Sequence, residues 1–214
     1  MMEFLVTGIL LGASAGMTPG PLLALVISET LTSGFKSGLA VALAPIITDA
    51  PIVILAIALN AGLSGFAPAL GGISLAGAVF VFYLGITHLR RPARPIERPY
   101  ASTETFQTMT FQTKTFQKGL LANALSPHPW LFWFTVGGPI TMRAIDQDVL
   151  CGAGFMAGFY GLLVGSKIVV AALIARSRSF LTGRIHGIVM RVLGVFLCGL
   201  GALLFRESLR YFGF

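Results

Sequence analysis

The chain has 214 residues, 55% of them hydrophobic and only 11% charged, against roughly 25% charged in a typical soluble domain. Mean hydropathy is +0.84, so a soluble enzyme, a disordered tail or a coiled coil does not fit. The net charge of +7 sits between apolar segments, which is what membrane topology requires and not what a nucleic-acid surface shows.

The first residues, Met1 to Leu11, combine with Ala13-Ser14-Ala15 to imitate a signal peptide and its cleavage site. The start carries Glu3 and no Lys or Arg, and the apolar pattern runs on past the supposed cut, so a retained first helix is expected. A spanning helix needs about 20 apolar residues. Six segments qualify, near residues 4–30, 37–63, 67–89, 119–136, 150–175 and 185–205. The expected fold class is an all-α polytopic membrane protein of six transmembrane helices. Residues 1–90 form one three-helix unit, 91–118 a cytoplasmic linker loop and 119–214 a second three-helix unit.

Within the linker, Thr105-Phe106-Gln107-Thr108, Thr110-Phe111-Gln112-Thr113 and Thr115-Phe116-Gln117 form a tandem repeat. A period of five fits neither helix nor strand, so a low-complexity linker is expected, with a partly helical surface segment as the alternative. Lys and Arg gather in the first, third and fifth connections: Lys36, then Arg90 to Lys118, then Arg176 to Arg191. By the positive-inside rule these connections face the cytoplasm and both termini lie outside.

The first and fourth segments each carry Pro-x-Pro, Pro19-Gly20-Pro21 and Pro127-His128-Pro129. The second and fifth also rhyme, Ile52-Val53-Ile54-Leu55-Ala56 with Ile168-Val169-Val170-Ala171-Ala172. Two copies of a unit with an odd number of spans lie inverted in the membrane, and inverted repeats with interrupted helices are a transporter pattern. Pro19 falls about 22 Å along the first helix, near mid-membrane. A half-helix starting there presents free amide donors suited to a carboxylate.

Ionisable groups inside the bilayer are costly and mark function. Asp49 lies about 18 Å along the second helix, between Pro45 and Pro51. It can bind an ammonium group, bind a cation or take up a proton. Lys167, in the fifth helix, falls two positions from the Asp49 equivalent in the repeat. It reads either as half of a gated ion pair or as a side chain snorkelling to the interface. Asn123 and Ser126 precede the second break and can serve a substrate or freed backbone groups. His128 is a candidate proton relay or an interface histidine, and Glu29 reads as an interface residue. Gly8, Gly12 and Gly16 line one face of the first helix, and Gly154, Gly158, Gly161 and Gly165 one face of the fifth. Internal packing is the expectation for both, with a homodimer as the alternative. Cys151 and Cys198 form no CxxC and read as packing residues. No catalytic set, phosphate loop or metal-ligand cluster stands out, so no cofactor is expected and transport is driven by a gradient.

These residues resemble the LysE family of amino-acid exporters, the LysE-type translocators. The likeness rests on Gly8 through Gly16 running into Thr18-Pro19-Gly20-Pro21, on Asp49, and on Gly119-Leu120-Leu121-Ala122-Asn123-Ala124-Leu125-Ser126-Pro127. It covers nearly the whole chain. It implies a multi-pass cell-membrane protein, not an enzyme, that exports amino acids or similar zwitterions against protons. Its partners are then the lipid bilayer and a small-molecule substrate. By that likeness Thr18, Pro19, Gly20, Pro21 and Asp49 become substrate or proton sites, and Asn123, Ser126 and Pro127 the matching half. Lys167 lies outside the family pattern and bears on which substrates are accepted. The alternatives are a cation or heavy-metal exporter of the same superfamily, a membrane thiol–disulfide carrier, and a structural protein without transport.

Overall fold

The computed structural model describes residues 1–59, 67–90, 105–177 and 184–211, and every element in them is helical. In chain order these are α1 (Met2–Met17), α2 (Pro21–Ser33), α3 (Phe35–Ala42), α4 (Ala44–Leu59), α5 (Ala67–Arg90), α6 (Thr105–Ala124), α7 (Pro127–Phe132), α8 (Gly138–Gln147), α9 (Val149–Ser177) and α10 (Arg184–Tyr211). A π-helical turn, Trp133–Gly137, joins α7 to α8.

Among the described residues, four stretches are long and apolar enough to cross a membrane: Phe35–Ala58, Gly72–Arg90, Val149–Ser177 and Gly187–Arg210. The pair α1 and α2, bent by 64°, makes a fifth if counted as one span. The fourth segment expected from sequence is not among them, because it is cut between α6 and α7.

The two breaks have the same local chemistry. A residue before proline is pushed out of the helical region. Thr18, before Pro19, is extended with φ −60° and ψ 123°. Ser126, before Pro127, is extended with φ −86° and ψ 131°. Pro21 and Pro127 then open α2 and α7, where a missing amide hydrogen costs nothing. Between α2 and α3, Gly34 has φ 93°, a conformation only glycine adopts without strain.

Two helix pairs form the frame, α1 on α9 and α5 on α10. A Cβ on Gly8 or Gly12 would run into the backbone of Phe155 or Phe159, so the glycines let α1 lie main chain to main chain on α9. Gly158 answers from α9 against Leu5 and Ile9. Gly161 and Gly165, on that same face, would have nothing within 4 Å of an added Cβ; of the glycine row of α9, Gly158 is the one that meets the backbone of α1. The second seam is reciprocal, with Gly85 against the Gly194 carbonyl and Gly194 against the Gly85 carbonyl.

The Thr-Phe-Gln repeat is a correction. From Thr105 it is helix, continuous with the Gly119–Ala124 stretch in α6. Its Thr and Phe are middling helix formers, but Gln, Met and Lys stand between them and it has no glycine or proline to stop a helix. The preceding part of the expected linker, 91–104, lies outside the described residues.

Candidate functional site

A cavity of about 390 Å³ lies where the α1–α2 break meets α4, α6, α7, α9 and α10. Of the residues singled out from sequence, Thr18, Pro19, Gly20 and Pro21 line it from the first break. Asp49 from α4, Asn123 and Ser126 from the second break, His128 from α7 and Lys167 from α9 line it as well. Pro127 does not; it is buried behind the lining as the first residue of α7.

Asp49 is 3% exposed. Its Oδ1 accepts a hydrogen bond from Asn123 Nδ2 at 2.7 Å, and its Oδ2 accepts one from Trp133 Nε1 at 3.4 Å. Asn123 Nδ2 also donates to Thr48 Oγ1 at 2.7 Å. One amide group from the second half of the chain thus ties down two neighbouring side chains of the first half. Pro45 and Pro51 flank Asp49. Pro45 stands just after the turn at Leu43 that separates α3 from α4, while Pro51 sits inside α4.

Lys167 is 4% exposed and does not snorkel. Its Nζ donates to Gly16 O at 3.3 Å and Leu163 O at 3.5 Å. The last turn of α1, before the break, therefore anchors the ammonium group. Lys167 lies within electrostatic reach of Asp49, yet the two make no direct ion pair. Among the described residues the one ion pair is Lys118 Nζ to Glu29 Oε1 at 2.9 Å.

That pair corrects the reading of Glu29 as an interface residue, since Glu29 is 3% exposed. Its place along α2 explains why. Pro21, Leu22 and Leu23 face the cavity. Leu25 and Val26 are fully buried in a cluster with Val41, Ala42, Ala122 and Ala171. Glu29 follows one turn later and meets α6 through Lys118. The cavity thus gives way to packed core along α2, and the ion pair lies beyond that core.

The start of α2 is a donor site. Its first intrahelical bond beyond the break is Ala24 N to Gly20 O at 3.0 Å, and Pro21 has no N–H. The amides of Leu22 and Leu23 therefore have no acceptor within the helix, and both residues line the cavity.

Sequence reasoning missed the aromatic wall and one acid. Trp133 is fully buried and sits edge-on to Phe159 with centroids 5.1 Å apart; Phe132 stacks on Phe159 at 4.8 Å. Tyr160 stacks on Trp133 at 6.0 Å, and its hydroxyl comes close to Asp49. Trp133 opens the π turn, whose widened register has Gly138 N donating to Trp133 O just before Pro139 interrupts the ladder. The signal was the Trp130-Leu131-Phe132-Trp133-Phe134 run ahead of Gly137-Gly138-Pro139, which hydropathy alone reads as span. The acid is Glu207 on α10, a cavity residue that lies just past the expected end of the sixth segment.

The sequence model of one protein family, described as LysE type translocator, matches residues 13–208, a stretch that holds both helix breaks and every cavity residue named above. No curated protein and no solved structure matches the chain.

Proposed function

The chain belongs to the LysE type translocator family, and from that membership we propose a secondary transporter that exports amino acids or similar small zwitterions from the cytoplasm, coupled to protons. The supporting observation is that one cavity at the paired helix breaks holds a buried carboxylate, Asp49, and a buried ammonium group, Lys167. A zwitterion needs groups of both signs in one place. In this reading the free amides at the start of α2, together with Lys167, take the substrate carboxylate. Asp49 and His128 handle the proton, and Thr18, Asn123 and Ser126 complete the polar lining.

The architecture we infer is six spans in two inverted repeats, 1–90 and 119–214, with 91–118 as the cytoplasmic connection and both termini outside the cell membrane. Support comes from the matched chemistry of the two breaks and from the pairing of α5 with α10, the third span of each unit. The cation-exporter alternative receives no such support. Among the described residues no three His, Cys, Asp or Glu side chains group as metal ligands.

The test is counterflow into proteoliposomes with a mixed panel of amino acids and divalent cations, read by mass spectrometry. Wild-type protein should accumulate one amino-acid class, and a folded Asp49→Asn protein should lose the activity by tenfold or more. Asparagine at 49 offers one acceptor where two are used and sets an amide donor against Asn123 or Trp133. Movement of cations alone, or of nothing under any gradient, would sink this reading.

A further inference from the structure

We infer that Glu207, which no sequence signal singled out, binds the ammonium group of the transported zwitterion, which leaves Asp49 to the proton. The inference rests on the exporter reading and deepens it.

The hydrogen-bonding groups around the cavity differ in how far the protein already satisfies them. Both Asp49 oxygens accept, one from Asn123 and one from Trp133. Both donors come from neutral side chains held in place by the second half of the chain, so each Asp49 oxygen already has a partner before any substrate arrives. Lys167 has three N–H donors and directs two at carbonyls of Gly16 and Leu163, which leaves one. Glu207 is the opposite case to Asp49. It lines the same cavity, its Oε2 is buried, and that oxygen has no partner. A buried carboxylate oxygen without a donor is destabilising, and a cationic donor is the partner that offsets the cost most. Beside the Ser126 hydroxyl and the His128 ring, the cavity therefore offers one ammonium hydrogen on Lys167, the two amides at the start of α2, and one acceptor on Glu207. That set is the complement of a carboxylate and an ammonium group on one small molecule.

The local charges agree. Asp49 and Lys167 offset one another within electrostatic reach, and His128 is the further titratable group of the lining. Arg206 and Arg210 flank Glu207 on α10, but both are exposed and neither pairs with it. Among the described residues Glu207 is thus the acid of this cavity with a buried oxygen that takes no hydrogen bond and with no ion pair.

The experiment compares the amino acid that wild-type protein exchanges with its 2-hydroxy acid analogue, which keeps the carboxylate and lacks the ammonium group. Half-saturating concentrations are measured by counterflow for wild type, Glu207→Gln and Glu207→Asp. Wild type should favour the amino acid by about tenfold or more, the scale of one charge-assisted hydrogen bond. Glu207→Gln should shrink that preference about tenfold while leaving the hydroxy acid almost unchanged. Glu207→Asp should fall between. A merely structural role would shift both solutes alike. A Glu207→Gln protein that transports and keeps the full preference overturns the inference and leaves the exporter reading standing. If Glu207→Gln does not fold, Glu207→Asp decides, and an unaltered half-saturating concentration for the amino acid overturns it. A wild-type protein that moves no amino acid removes both.

Discussion

Replacing Gly12 by alanine tests the seam that carries the first helix break. A Cβ there would sit 2.9 Å from both the carbonyl carbon and the Cα of Phe159, and closer still to its carbonyl oxygen. These are backbone atoms of a continuous helix, so no side chain can rotate away. Ordinary contact begins at 3.4 Å, and α1 must retreat from α9 by about half an ångström or more. Overpacking of this kind costs about 1–3 kcal/mol, while alanine returns up to about 1 kcal/mol through backbone entropy. The net loss is up to about 2.5 kcal/mol. Gly161→Ala is the control, since nothing lies within 4 Å of its added methyl; it should be neutral or gain up to about 1 kcal/mol. Unfolding in mixed micelles, followed by tryptophan fluorescence, reads both. The retreat also lengthens the 3.3 Å bond from Lys167 to Gly16 O, so Gly12→Ala should lower counterflow as well. A Gly12→Ala protein as stable as Gly161→Ala would refute the packing argument.

Lys118→Met should cost about 1–3 kcal/mol, because it leaves buried Glu29 without its partner, and Glu29→Gln in the same chain should recover most of it; an unchanged unfolding midpoint for Lys118→Met would show the pair carries no weight. Trp133→Phe keeps the ring against Phe159 and removes the 3.4 Å donation to Asp49. At that length the bond is worth about 0.5–1 kcal/mol, so a few-fold rise in the half-saturating concentration is expected, and a complete loss of transport would mean Trp133 does more than donate. Cys151 on α9 and Cys198 on α10 are both free. The double Cys151→Ser, Cys198→Ser protein should keep its counterflow, and abolition of transport would revive the thiol–disulfide alternative.

Much of the site was legible because its residue types are rare in lipid. Asp49, Lys167 and two proline pairs stand out against an apolar background, and the cavity gathers the two charges with the first proline pair. Proline acts locally, so both breaks followed from sequence alone. The rest depended on geometry. Trp133 reads as one more apolar residue until the π register turns its indole toward Asp49. Glu207 draws no notice in the sequence because hydropathy places the helix end at Phe205, too early along the chain. Glu29 reads as interfacial because its partner lies 89 positions away. The helical alternative for the Thr-Phe-Gln repeat, which holds from Thr105, ranked second to a linker for a different reason. Its polarity suppressed the periodic signal, although nothing in its composition breaks a helix.

The two glycine seams have a mechanical consequence. Where α1 meets α9 and α5 meets α10 main chain to main chain, neither pair can be squeezed, and sliding would drive carbonyls into the opposite backbone. Each pair behaves as a stiff beam. Compliance is left to the short segments between the beams, each of which already has a joint: the extended Thr18–Gly20 link, the left-handed Gly34, the turn at Leu43 and the Ser126 step. Every one of these joints leads into a segment that lines the cavity or packs directly beneath it. The chain has concentrated its rigidity in the two glycine-seamed pairs and its freedom in the joints between them.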